Sequence, residues 1–93
     1  MSEELRRSIE LAAGLLKAAG AHEVYVFGSA ARGSLRDDSD IDLAVSGLPP
    51  QRFFEAMSKA CDALGRPLDL IDLDEDTPFT RFLRDEGELL RVD

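Results

Sequence analysis

The most constraining feature of this 93-residue chain is a glycine–serine pair that is followed, after ten residues, by two alternating aspartates. Gly28 and Ser29 come directly after the apolar segment 23–27, and Asp40 and Asp42 open a second apolar segment. A tight Gly-Ser turn offers backbone N–H groups and a hydroxyl to a polyphosphate. Alternating aspartates on a strand point to the same face, where they can hold Mg²⁺. Together these residues predict a site that handles a nucleotide and a metal.

Hydrophobic periodicity and helix-end signals divide the chain into alternating helices and strands. Ser2 is placed to cap the first helix, and Thr77 with Pro78 is placed to begin the last one. The pattern predicts a helix over 3–19, a strand over 23–27, a helical turn over 29–32, a strand over 40–45, a helix from Pro50 to 64, a strand over 68–73, a helix over 79–86 and a short extended tail over 89–92.

The site hypothesis also predicts how the strands pair. If Ser29 and the Asp40/Asp42 pair serve one site, the end of the first strand lies near the start of the second, so these strands are antiparallel neighbours. The helix after the second strand is long enough for a parallel, right-handed crossover to the third. The expected fold class is α/β (α+β), in one domain over 1–93: a small mixed sheet of three or four strands flanked by helices.

A third carboxylate is expected from the third strand, where Asp69 and Asp72 are the candidates. The crossover places Asp69, early in that strand, beside Asp42. Asp72 is three residues further along, so its side chain faces the opposite side of the sheet. Asp69 is therefore the preferred third ligand, with Asp72 left as the alternative. The acidic segment 74–76 that follows is expected to be a solvated loop.

Composition narrows the function classes. The formal net charge of -8 argues against general nucleic-acid binding, because a protein must neutralise phosphates to hold them. No apolar run is long enough to span a membrane, and the first residues lack the pattern of a signal peptide. A single cysteine, Cys61, excludes an internal disulfide and fits a cytoplasmic protein, in which we expect it to be a buried small hydrophobe.

The roles of the remaining polar residues near the signature are predicted less specifically. Arg32 and Arg36 flank the turn, and either can steady phosphates through charge-assisted hydrogen bonds or form a surface ion pair. Structural or solvated roles are expected for Ser34, Ser39, Asp37, Asp38 and His22.

The Gly-Ser and Asp-x-Asp signature resembles that of the DNA polymerase beta nucleotidyltransferase superfamily. The segments 31–33, 39–43 and 69–72 are similar to those of its smallest branch, the minimal nucleotidyltransferase (MNT) domains. The resemblance covers nearly the whole chain. It implies the nucleotidyltransferase fold, nucleotide contacts from Gly28 and Ser29, binding of two Mg²⁺ ions by Asp40 and Asp42, and activation of the attacking hydroxyl by Asp69. Ala30 departs from the pattern, since many relatives carry Arg or another polar residue there.

The resemblance further implies an antitoxin of a toxin–antitoxin module that transfers AMP from ATP to a tyrosine of a helical HEPN-domain toxin. Two alternatives remain open: neutralisation of the toxin by binding alone, and nucleotidyl transfer to a small molecule. The expected site comprises Gly28, Ser29 and Arg32 for the nucleotide, with Asp40, Asp42 and Asp69 for metal and catalysis. The acceptor is expected to come from another molecule, and the pattern leaves open whether a homodimer forms.

Overall fold

The computed structural model describes residues 2–36, 39–87 and 89–93. Within these ranges the helices and strands follow in the order α1 (Glu3–Ala18), β1 (Glu23–Phe27), α2 (Gly28–Arg32), β2 (Ile41–Ser46), α3 (Phe53–Leu64), β3 (Leu68–Asp72), α4 (Pro78–Asp85) and β4 (Leu90–Arg91). The predicted elements are all present, with ends that move by one or two residues, except for the start of α3. Asp37 and Asp38, predicted to be solvated loop residues, lie outside the described ranges.

Local hydrogen bonds explain where the helices begin. The Ser2 hydroxyl accepts a hydrogen bond from the Leu5 N–H at 3.1 Å, and Thr77 and Thr80 form a reciprocal capping box at the start of α4. The prediction that the third helix begins at Pro50 is wrong in detail. Pro50–Arg52 form a separate 3-10 turn, in which the Arg52 N–H bonds the Pro49 carbonyl, and α-helical geometry begins at Phe53.

The four strands form one mixed sheet in the order β3–β2–β1–β4. β1 pairs with β2 antiparallel, and β2 pairs with β3 parallel, as the site hypothesis required. The tail predicted as extended supplies β4, which pairs antiparallel with β1. The sheet therefore has four strands, the larger of the two numbers expected.

The two faces of the sheet are covered unequally. On one face α1 and α3 pack over the alternate strand residues, in a core that includes Ile9, Leu16, Val24, Val26, Ile41, Leu43, Val45, Ala56 and Ala60. The other face carries a smaller cluster of Phe27, Ala44, Leu73 and Leu83, to which the eight-residue helix α4 contributes Leu83. Because side chains alternate along a strand, Asp42 shares this second face with Ala44.

Cys61 differs from its prediction. Its side chain is only partly buried, and its Sγ donates a hydrogen bond to the Arg66 carbonyl at 3.4 Å. The residue lies in the last turn of α3. None of the helices in the described ranges combines the length and hydropathy that a bilayer crossing requires.

Candidate active site

Gly28 joins the end of β1 to the Asp42 carboxylate. Phe27, the last residue of β1, pairs with Asp42 in the antiparallel register, so the chain turns into α2 directly beside that side chain. Gly28 has a φ of +70°, and a Cβ on it would overlap Oδ2 of Asp42 and approach its Cγ at 3.2 Å. A side chain at position 28 is thus disfavoured by its backbone conformation and by the carboxylate behind it.

The parallel register of β2 and β3 brings Asp69 opposite Asp42. Both side chains lie on the face that carries the smaller cluster, because the residues between and beside them, Ile41, Leu43 and Leu70, are buried on the other face. Asp72 pairs with Val45 instead, and its Oδ1 accepts the Asp74 N–H at 2.9 Å in the turn after β3. The structure therefore brings Asp69, and not Asp72, to the Asp42 carboxylate.

Burial and two neighbouring carboxylates act on the Asp42 carboxyl group. Its pKa is raised above the ordinary aspartate value by burial first, then by the negative charges of Asp69 and Asp40, while Arg32 opposes the shift. Asp40 itself is exposed and lies one residue before β2. Like charges held together without a counter-ion raise a pKa in this way, and a bound cation would relieve the repulsion.

These carboxylates do not enclose a metal ion by themselves. Among residues 2–36, 39–87 and 89–93, no three acidic, histidine or cysteine side chains are gathered tightly enough to enclose an ion on their own. Mg²⁺ is commonly bound through one or two carboxylates together with substrate phosphates and waters. Asp40, Asp42 and Asp69 fit that arrangement, in which the nucleotide completes the coordination.

Arg32 and Arg36, the two arginines that flank the turn, have different surroundings. Arg32, the last residue of α2, is near enough to Asp42 for its charge to act on that carboxyl group. Arg36 donates its backbone N–H to Ser39 Oγ at 3.1 Å and accepts from Arg66 through its carbonyl at 3.2 Å. Ser39 is therefore a turn-forming residue, as expected, and only Arg32 is placed with the carboxylates.

Ser29 and Ala30, the two residues after Gly28, differ in their surroundings. Ser29 is partly exposed at the start of α2, and its carbonyl accepts the Ser34 N–H at 2.9 Å, which closes the turn. Ala30 is buried in the larger core, so the side chain at this position points away from the carboxylates. The departure from the family pattern at Ala30 therefore leaves the described carboxylate face unchanged.

An aromatic wall beside the site was not predicted. The Phe79 ring of α4 packs edge-to-face on Phe27, with ring centroids 6.1 Å apart, yet 47% of Phe79 stays exposed. From the sequence, Phe79 is predicted to lie in the helix over 79–86 and is given no role at the site. The Thr77-Pro78 helix start was a usable signal, because it predicted that Phe79 lies in the first turn of α4.

Comparisons with known proteins identify the family of this chain. Residues 11–92 match the family model described as polymerase beta, nucleotidyltransferase. The chain belongs to this family. A solved structure described as a minimal nucleotidyltransferase is 30% identical, with a TM-score of 0.76 and coverage of 91% of each chain. None of the curated proteins compared with the chain matches it.

Two further solved structures are toxin–antitoxin complexes. A mutant of the MntA-HepT pair is 30% identical over 84% of this chain and 67% of that one, with a TM-score of 0.63. A toxin-antitoxin with AMP-PNP is 24% identical, with a TM-score of 0.72 and coverage of 95% and 72% of the two chains, and it shows the shared fold. The family resemblance and the fold class expected from the sequence are confirmed.

Proposed function

We propose that this nucleotidyltransferase domain transfers AMP from ATP to a tyrosine hydroxyl of a partner HEPN toxin, and that it thereby acts as an antitoxin. The observation that carries the proposal is the position of Asp42, which lies opposite Asp69 in the sheet and against Gly28 of the turn. One carboxylate thus connects the predicted nucleotide-binding turn with the predicted hydroxyl-activating residue.

Mg²⁺ fits the donor set, because Asp42 lies opposite Asp69 and two residues from Asp40 along the chain, and the charges of both add to burial in raising the pKa of Asp42. Asp40 and Asp42 would hold two Mg²⁺ ions, with Asp69 as the third carboxylate. Bound Mg²⁺ neutralises phosphate charge and stabilises the attacking and leaving oxygens of a phosphoryl-group transfer. ATP is the proposed substrate, and Arg32 with the turn residues Gly28 and Ser29 would hold its phosphates.

The reaction balances with groups of this chain and its substrates. The acceptor oxygen forms a bond to the α-phosphorus of ATP, and the bond from that phosphorus to the oxygen bridging the α- and β-phosphates breaks. Pyrophosphate leaves with the electron pair of the broken bond. Asp69 accepts the proton of the attacking hydroxyl, a role for which a carboxylate within reach of the nucleophile is suited.

The toxin partner is supported by the 30% identical MntA-HepT structure. The single cysteine and the acidic composition are in keeping with the cytoplasm as the compartment in which the two proteins meet. The test is intact-mass spectrometry of a purified HEPN-domain toxin after incubation with this chain, ATP and Mg²⁺. We expect the toxin to gain the mass of whole AMP groups with the wild type and nothing with Asp42→Asn.

Neutralisation by binding alone is the second candidate, and exposed aromatic residues near α4 favour it. Phe54, Phe79 and Phe82 are 75%, 47% and 51% exposed, which is a large apolar surface for a domain of this size. The Asp40→Ala/Asp42→Ala variant separates the two mechanisms. If cells remain protected by this variant while the toxin stays unmodified, binding is the better account.

A further inference from the structure

A groove runs along the outer edge of the sheet beside the candidate active site, and we call it the β3 groove. It lies between β3 and the first turns of α3 and α4, and its volume is about 370 Å³. Its aromatic and aliphatic walls and its acidic rim include Phe53, Phe54, Ile71, Phe79, Asp72 and Glu75.

The aromatic residues of the β3 groove are exposed in a way that packing does not explain. Phe54 is 75% exposed and packs edge-to-face on Phe53, with ring centroids 5.7 Å apart. Phe79, on the opposite wall, is 47% exposed. The cost of leaving adjacent large aromatic rings in water is offset when a partner covers them, so contiguous exposed rings commonly mark an interaction surface.

Among the strands of the described residues, none pairs with the outer edge of β3, which forms the groove floor. β3 is an outer strand of the sheet. The Ile41 N–H donates to the Pro67 carbonyl and the Leu73 N–H donates to the Val45 carbonyl, so the odd-numbered residues of this segment bond toward β2. The backbone N–H and C=O groups of Leu70 therefore point outward. An extended peptide can pair with such an edge and place alternate side chains in the groove.

The negative charge at the groove rim favours a peptide that carries basic side chains. Within the described ranges neither Asp72 nor Glu75 forms a salt bridge, whereas Asp74 and Asp76 each pair with an arginine of α4. The chain as a whole carries a formal charge of -8. Lysine or arginine side chains in a partner would meet complementary charge here, which favours association and suppresses acidic competitors.

We propose that the β3 groove docks an extended segment of the acceptor protein, with apolar side chains flanked by lysine or arginine. This inference rests on the proposed function and adds the surface that the acceptor uses. Asp69 precedes Ile71 by two residues, which is about 7 Å along a strand. A segment paired with β3 would therefore lie within reach of the carboxylate that accepts the proton of the attacking hydroxyl.

The test measures binding of the purified HEPN-domain toxin by isothermal titration calorimetry without nucleotide, so that catalysis does not enter the readout. Phe54→Ala removes an exposed ring, and we expect the Kd to rise at least tenfold. Glu75→Lys reverses a rim charge, and we expect a several-fold rise that shrinks at high salt. Leu11→Ala, an exposed apolar residue of α1, is the matched control and leaves the Kd unchanged.

The possible results separate the docking surface from the proposed AMP transfer. Wild-type Kd values for both groove variants, loss of binding only in Phe82→Ala, or no binding of the wild type would overturn the docking surface. If the groove variants weaken binding while the wild type binds the toxin without transferring AMP, the docking surface stands and the proposed reaction fails. Should Phe54→Ala unfold, as judged by circular dichroism, Glu75→Lys carries the test by itself.

Discussion

The substitution Gly28→Ala tests whether the contact between the turn and Asp42 matters for catalysis. Gly28 has a φ of +70°, and Gly33, at the other end of α2, has a φ of +75°. Alanine at either position therefore has the same unfavourable left-handed conformation, which costs about 1–2 kcal/mol. Positions 28 and 33 differ in the atoms that surround the added methyl group.

At position 33 a Cβ has no heavy atom within 4 Å, whereas at position 28 it overlaps the Asp42 carboxylate. Gly33→Ala is therefore the matched control, with the backbone cost and without the clash. In Gly28→Ala the carboxylate must move away, and a displacement of about 1 Å at a catalytic group can cost 10²-fold in rate. That factor equals about 2.7 kcal/mol of transition-state stabilisation.

The assay measures the initial rate of AMP transfer to the HEPN toxin with saturating ATP and Mg²⁺, together with the urea midpoint of each variant. We expect Gly28→Ala to lose at least as much free energy of unfolding as Gly33→Ala, while only Gly28→Ala loses about 10²-fold in rate. Equal rates in the two variants, or a larger loss in Gly33→Ala, would refute the proposed role of the Gly28–Asp42 contact.

Three further predictions concern single side chains. Because the pKa of Asp42 is raised in the fold, its ionised form destabilises the metal-free protein above about pH 4, so Asp42→Asn should raise the urea midpoint at pH 7. Mg²⁺ at a hundredfold excess over Kd should stabilise the wild type by about 2.7 kcal/mol and the variant far less. The Asp93 carboxylate accepts from Arg91 Nε, Lys17 Nζ and the Val24 N–H, and its pKa lies well below the usual range. Asp93→Asn should therefore lower the urea midpoint at pH 7, and the difference from wild type should vanish as the pH falls from about 4 toward that lowered pKa. Arg32→Gln should raise the KM for ATP by at least about tenfold, since one charge-assisted contact to phosphate is worth about 1.5–3 kcal/mol, with kcat changed less.

Much of the site could be predicted, because the helix and strand patterns in the sequence agreed with one requirement on the position of the turn. The Gly-Ser turn had to lie near Asp40 and Asp42, which made β1 and β2 antiparallel, and the long α3 made β3 parallel to β2. Two-residue periodicity then separated Asp69 from Asp72. The observed pairing of Asp42 with Asp69 confirms that prediction of the strand arrangement.

The aromatic surroundings could not be predicted in the same way. The exposure of Phe54 and Phe79 depends on how α3 and α4 meet the outer strand, which no residue spacing within one element specifies. The separate 3-10 turn at Pro50 and the partly exposed Cys61 likewise lie at the two ends of α3. Tertiary packing, rather than local pattern, decides these features.

The central claim is that Asp69 and Asp42 together catalyse transfer of the nucleotidyl group, and radiolabel transfer tests it most directly. The measurement compares ATP labelled at the α-phosphate with ATP labelled at the γ-phosphate, using the wild type, Asp69→Asn and the exposed α3 control Asp62→Asn. The account predicts that only α-label reaches the toxin, with wild type and Asp62→Asn, and that Asp69→Asn transfers little or none. Label from the γ-phosphate on the toxin, or an Asp69→Asn variant as fast as wild type, would contradict it.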